Sequence, residues 1–271
     1  MSAVLWPLLY TVFVWWFSTG LILYLDGLPR HTFKYTLAGS SALAALGFFG
    51  LVASSGHTSV AAAYCAFTCA LLIWAGQEVA FLLGCVTGPR RSVCPPGLRG
   101  WARARAAFQT VLHHELLLLA LAAGVLVCTW GQPNQTGWWT FAVLWAMRQS
   151  AKLNVFLGVR NLSEGFLPPH LKYLGSYFMR KPMNPLWPLS VLAAGFVTVR
   201  TWQAAGLTEG GDFATVALSL AASLLSLAIV EHLFMVLPLP SEALWHWSLR
   251  SRPVTDAPAR MPARSSTVGR D

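Results

Sequence analysis

Eight ionisable side chains interrupt stretches of this chain that are otherwise apolar: Glu78, His113, His114, Glu115, Arg148, Lys152, Glu231 and His232. Carboxylates and imidazoles move protons and ligate metals. Guanidinium and ammonium groups hold carboxylates. At membrane depth such groups are costly, and they face a protein interior or a functional site. Arg148 and Lys152 are four residues apart and share one helix face. Gln109 and His113 share another. His113, His114 and Glu115 are consecutive, and neighbours on a helix point about 100° apart, so the three cannot converge on one ion.

The elements that carry these residues belong in a bilayer. Of 271 residues 55% are hydrophobic and only 11% are charged, and the mean hydropathy is +0.54. A soluble domain carries about 25% charged residues. Thirteen tryptophans fit the membrane interface. The net charge of +9 is assigned to topology and to lipid headgroups. No basic run is interleaved with a folded soluble module, so nucleic acid is excluded as a partner and membrane lipids are expected. The five cysteines have no zinc-site spacing. Cys65, Cys69 and Cys128 fall near one membrane side, as a disulfide or as small buried thiols. The N-terminus has no basic region and no small-residue cleavage site, so it is expected to be a retained span.

A span needs about 20 apolar residues. Seven segments meet this, at about 3–25, 35–53, 60–86, 104–130, 138–159, 186–202 and 213–237. The expected fold is all-α, a polytopic bundle over residues 1–240. An interfacial segment and polar tail fill 241–271. The polar connection 160–185 should hold an interfacial helix near His170 to Met179, with Leu171, Leu174 and Phe178 on its apolar face. Lys and Arg follow spans one, three, five and seven. The loops after spans two, four and six hold none. This alternation predicts a periplasmic N-terminus and a cytoplasmic C-terminus.

That topology sets depth. With about 1.5 Å of rise per residue, Glu78, the His113–Glu115 triplet, and Arg148 with Lys152 lie on the order of 10–15 Å from the cytoplasmic surface. Glu231 and His232 lie slightly nearer to it. Three acids face two bases in one layer. Four readings are open. The layer is an ion-pair network that locks the bundle. It is a metal site, with Glu78, His113, Glu115, Glu231 and His232 as candidate ligands of an iron centre, although di-iron bundles favour Glu-x-x-His rather than adjacent pairs. It holds a chlorophyll-type pigment, through a histidine such as His114 on magnesium, or through Arg148 and Lys152, with Asn154, on a propionate. Or it is a proton or ion pathway. Asn154, Arg160, Asn161 and Glu164 form a polar ladder leaving the membrane, expected as an interfacial network. Gln132-Pro133-Asn134-Gln135 is expected to be only a turn.

With these residues in hand, the sequence resembles the PuhE family of photosynthetic complex assembly proteins from anoxygenic phototrophic bacteria. The resemblance lies in Val86-Thr87-Gly88-Pro89-Arg90-Arg91, His113-His114-Glu115, Gly131-Gln132-Pro133-Asn134-Gln135 and the run from Leu144 to Asn154. Phe166-Leu167-Pro168-Pro169-His170-Leu171 and Lys181-Pro182-Met183-Asn184-Pro185 extend it. It implies a polytopic protein of the bacterial inner, intracytoplasmic membrane. Such a protein supports assembly of the reaction centre and light-harvesting apparatus, or modulates bacteriochlorophyll supply. Its partners would be photosynthetic pigment-protein subunits or pigment-synthesis enzymes, and its ligand bacteriochlorophyll or a precursor. The family supplies no catalytic residues. The metal reading implies instead a metal-dependent oxidoreductase acting on a tetrapyrrole or lipid-like substrate.

Overall fold

A computed structural model describes residues 2–208 and 211–252. Among the described residues the fold is all-helical, with no named strand. The long helices are α1 (Ser2–Asp26), α2 (Phe33–Ser55), α3 (Val60–Leu82), α4 (Gly100–Thr129), α5 (Thr136–Leu157), α6 (Leu186–Leu207) and α7 (Gly211–Phe234). A four-residue α8 (His246–Leu249) follows. Five helical stretches are long and apolar enough to cross a membrane: Ala3–Asp26, Arg30–Ser55, Val60–Leu82, Gly100–Thr129 and Gly211–Phe234. The helices α5 and α6 are 22 residues each. They coincide with the fifth and sixth expected segments but fall short of that apolarity. Polar side chains explain this for α5, which carries Arg148, Gln149, Ser150, Lys152 and Asn154.

The hub of the bundle is α3. Small residues there, including Ala62, Ala63, Ala66, Ala70 and Gly76, let neighbours approach closely, and thirteen of its residues are buried. Ala66 and Ile73 join Leu51, Leu118 and Phe141 in one core cluster. Ala63 and Phe67 join Leu220 and Leu224 in a second. Phe81 packs with Leu171 and Leu174 in a third. The expected third span ran on to residue 86, but the helix stops at Leu82. Gly84 adopts φ +79°, a left-handed conformation that suits glycine. The Cys85 N–H then turns back to the Ala80 carbonyl.

At one end of the bundle the turn holding Asn134 ties three helices together. Its side-chain amide donates to the Ser54 and Ala62 carbonyls, each at 3.1 Å, and its Oδ1 accepts the Thr136 N–H. The segment expected as only a turn therefore holds a buried clamp in Asn134, while Gln132 and Pro133 stay exposed. All five cysteines are free thiols.

The basic end is tied by the loop 158–185 and the C-terminal segment. Asn161 donates to carbonyls at the end of α7. Asn184 donates to Asn154 and Gly158, and its Oδ1 accepts the first N–H groups of α6. Asn154 and Asn161 thus belong to a joining network, whereas Glu164 makes an exposed pair with Arg180 at 3.7 Å. The expected interfacial helix near His170 is a 3-10 helix, Pro169–Tyr177. Its buried residues Leu171, Leu174 and Tyr177 repeat every third position, the period of a 3-10 helix. His170 Nε2 donates to the Leu82 carbonyl at 2.8 Å. Burial holds this imidazole below its usual pKa. Tyr173, in the same turn, is pushed above its usual range by burial. Arg252 grips buried Asp26 at 2.9 Å, closing the C-terminal segment onto α1. The tail beyond Arg252, and Glu209, lie outside the described residues.

Candidate functional site

Near the basic ends of α3, α4 and α5 the expected charges meet in pairs. Lys152 Nζ lies 2.5 Å from Glu115 Oε1, and Gln149 Nε2 donates to Glu115 Oε2 at 2.7 Å. Both oxygens of that carboxylate are therefore held by α5. Arg148 Nη2 reaches Glu78 Oε2 at a looser 3.4 Å. Gln77 Nε2 donates to Glu78 Oε1 at 3.0 Å. The spacing of Arg148 and Lys152 explains the geometry: one face of α5 meets an acid from α3 and an acid from α4.

The two pairs differ in closure. The Glu78 side chain is 12% exposed, but Arg148 is 41% exposed, and its Nε, although buried, has no partner among the described residues. Arg148 is thus the member with unused hydrogen-bonding capacity. Glu231, on α7, makes no ion pair among the described residues and takes the Trp15 indole N–H at 2.6 Å. His232 is buried and belongs to a neutral network. Its Nδ1 donates to the Ala228 carbonyl, and its Nε2 faces the Ser150 hydroxyl at 2.9 Å. Asn154 spends its amide on Ser150 and Ser190.

The triplet on α4 splits as consecutive helix positions must. His113 is exposed on the outer face. His114 is 0% exposed, its ring 4.3 Å from the ring of Phe81, with no partner on either nitrogen among the described residues. Glu115 turns to α5. The loop before α4 docks onto the same turns. The His114 N–H donates to the Thr87 carbonyl, and the Arg90 N–H to the Gln109 carbonyl. A Cβ at Gly88 would lie 2.1 Å from the Gln109 carbonyl oxygen, so only glycine lets the strand of loop lie this close.

The five candidate metal ligands are not gathered at one point. Among the described residues no three His, Cys, Asp or Glu side chains come within reach of one ion. Of the expected ligands, Glu78 and Glu115 are held by cations, Glu231 by an indole and His232 by a serine and a carbonyl, while His113 faces outward. The donor set does not fit a metal centre. Nor does His114 fit a magnesium-ligating role, because a ring with no exposed edge offers no face to a macrocycle. Asn154 is saturated by structural bonds. Arg148 and Lys152 remain able to hold an anion, Arg148 with more freedom.

Several partners were not singled out in the sequence. Gln149 lies one helical turn before Lys152, so its place on the Glu115 carboxylate was available from spacing. Gln77 and Trp15 carried a weaker signal, namely that a polar group inside a span needs a partner. The Asp26–Arg252 pair joins residues 226 positions apart, and no local pattern announces it.

The family described as "Protein of unknown function (DUF3623)" matches residues 1–256. A relative from Rhodobacter capsulatus, described as "Uncharacterized 30.4 kDa protein in puhA 5'region", is 39% identical over 249 residues, covering 90% of each chain. No solved structure matches.

Proposed function

The chain belongs to the DUF3623 family, and we propose that it is a seven-span inner-membrane assembly factor for the photosynthetic reaction centre and light-harvesting apparatus, or a modulator of bacteriochlorophyll supply. The observation that carries this is the relative's place in the puhA 5' region. It agrees with the photosynthetic assembly family that the motifs resemble. Seven spans are supported by α5 and α6, each long enough to cross, in addition to the five more apolar helices. A cytoplasmic C-terminus is supported by the basic loops gathered at one end.

In this reading the charged layer locks α3, α4 and α5, and Arg148 is the group left open to an acidic atom of a pigment or apoprotein. The oxidoreductase alternative has less support, because its candidate ligands are not gathered among the described residues. Deleting the gene in a phototrophic host, or the Rhodobacter capsulatus relative's gene, should lower the absorbance of assembled pigment-protein complexes. This chain, supplied in trans, should restore it. Unchanged spectra under several light and oxygen regimes would end the proposal.

A further inference from the structure

The basic end carries a second feature that the charged layer does not use. From Val79 to His114 the chain contains five arginines and no acid. Two adjacent cavities open there, of about 430 and 360 Å³, and share Arg90 and Gln109 as lining. Arg105 and Trp101 line the first, and Arg91 the second. Arg90 is held in place by Gln109, through its backbone N–H and through Nε at 3.3 Å. The four ion pairs among the described residues involve none of Arg90, Arg91 and Arg105. Among the described residues the trough is therefore positive and uncompensated.

Its position on α4 is that of a headgroup layer. The helix has 30 residues, about 45 Å, against a hydrocarbon core of about 30 Å. Its first turns must stand outside the core. Trp101, 85% exposed on the first turn, is the residue type that favours this interface. Below it Phe108, Leu116 and Leu119 are exposed on α4. An apolar track thus descends from the cationic trough into the bilayer.

We propose that this trough binds an anionic phospholipid. Its phosphate would sit between Arg90 and Arg105, with Arg91 adding charge, and an acyl chain would lie along the Phe108 face of α4. A free phosphate would meet the same arginines but make no use of Trp101 or the apolar track. A soluble acidic segment would not use the track either.

The test uses the full chain in phosphatidylcholine nanodiscs with and without phosphatidylglycerol. Lipid retained after extraction into detergent is read by native mass spectrometry. The wild-type protein should retain phosphatidylglycerol over phosphatidylcholine. A juxtamembrane cation contributes roughly a fivefold effect, so the double variant Arg90→Gln/Arg105→Gln should retain about 25-fold less. The control Arg30→Gln/Lys34→Gln, also at the basic end, should match wild type. Equal retention by the Arg90/Arg105 variant overturns the proposal. So does displacement of the lipid by millimolar inorganic phosphate, which would make this a phosphate site. Arginine-dependent binding of polyglutamate without phosphatidylglycerol retention would assign the trough to an acidic protein and also overturn it. If the double variant fails to fold, Arg91→Gln/Trp101→Ala carries the decision. A loss of about fivefold or more is then expected, and wild-type retention refutes the site.

Discussion

Asn134 lies just before the first turn of α5 and Lys152 near its last, about 27 Å apart along the axis. The two polar centres they organise are built on different terms. Asn134 is neutral and fully enclosed, and every hydrogen-bonding atom of its side chain has a partner: two carbonyls and one N–H at the ends of three helices. The Lys152 layer is charged and only partly closed. Glu115 is saturated, yet Arg148 Nε, Gln77 Oε1 and both nitrogens of His114 are buried without partners among the described residues. A saturated neutral clamp fixes helix ends and has nothing left to offer a ligand. A charged layer with spare donors and acceptors holds the bundle and keeps capacity for another group. The Asn134 end is therefore architecture, and the Lys152 end is where function is sought.

The comparison can be broken most forcefully at Lys152. Changing it to Met leaves Glu115 with only the Gln149 amide in a low-dielectric setting. Stranding one member of such a pair costs about 3–5 kcal/mol. Thermal unfolding in detergent should show the loss, and adding Glu115→Gln should recover a substantial part of it. Strict additivity of the two changes would mean that the pair is not the element locking α4 to α5. A smaller loss is expected at the clamp. Asn134→Ala orphans the Thr136 N–H and removes two donors from helix ends, on the order of 1–3 kcal/mol. No charge-cancelling partner exists there, so no second substitution among Glu78, Glu115 and Glu231 should rescue it. A rescue would show the two centres to be coupled.

How much of this was legible in the sequence follows from range. The helices were legible because apolar runs and turn residues are local signals, and each expected segment has its helix within a few residues. Helix ends shifted where a cap decided, as at Gly84. The pairing of Arg148 and Lys152 with acids followed from their shared face and from the cost of leaving charge alone. The choice of acid did not follow, because it depends on how α3 and α4 pack on α5. The candidate metal ligands are not gathered for a related reason: counting acids and imidazoles at one depth says nothing about their direction, and Glu231 turns to Trp15 of α1 while His113 faces outward. Asn134 was read as a turn residue because its helix-tying bonds reach Ser54 and Ala62, more than seventy positions away. Long-range closure of this kind leaves no local pattern, and Arg252 on Asp26 is the same case.

The smallest effect separates charge from packing at the basic end, where His170 seats the loop against α3. Its imidazole donates from Nε2 to the Leu82 carbonyl, and burial holds its pKa below the usual value of about 6.5. The nearby Arg30 acts in the same direction. The sign of the linkage is then fixed. Below about pH 6.5 the unfolded chain takes up a proton that the folded chain refuses, so stability falls as pH falls. Above that range both states are neutral and the effect vanishes. His170→Gln keeps an N–H donor for the Leu82 carbonyl and removes the titration. Between about pH 7.5 and pH 5 the wild-type protein should lose more thermal stability than His170→Gln, and the two profiles should run parallel above the histidine range. Parallel profiles throughout would mean that the loop is held by Leu171 and Leu174 packing on Phe81, with the imidazole proton playing no part.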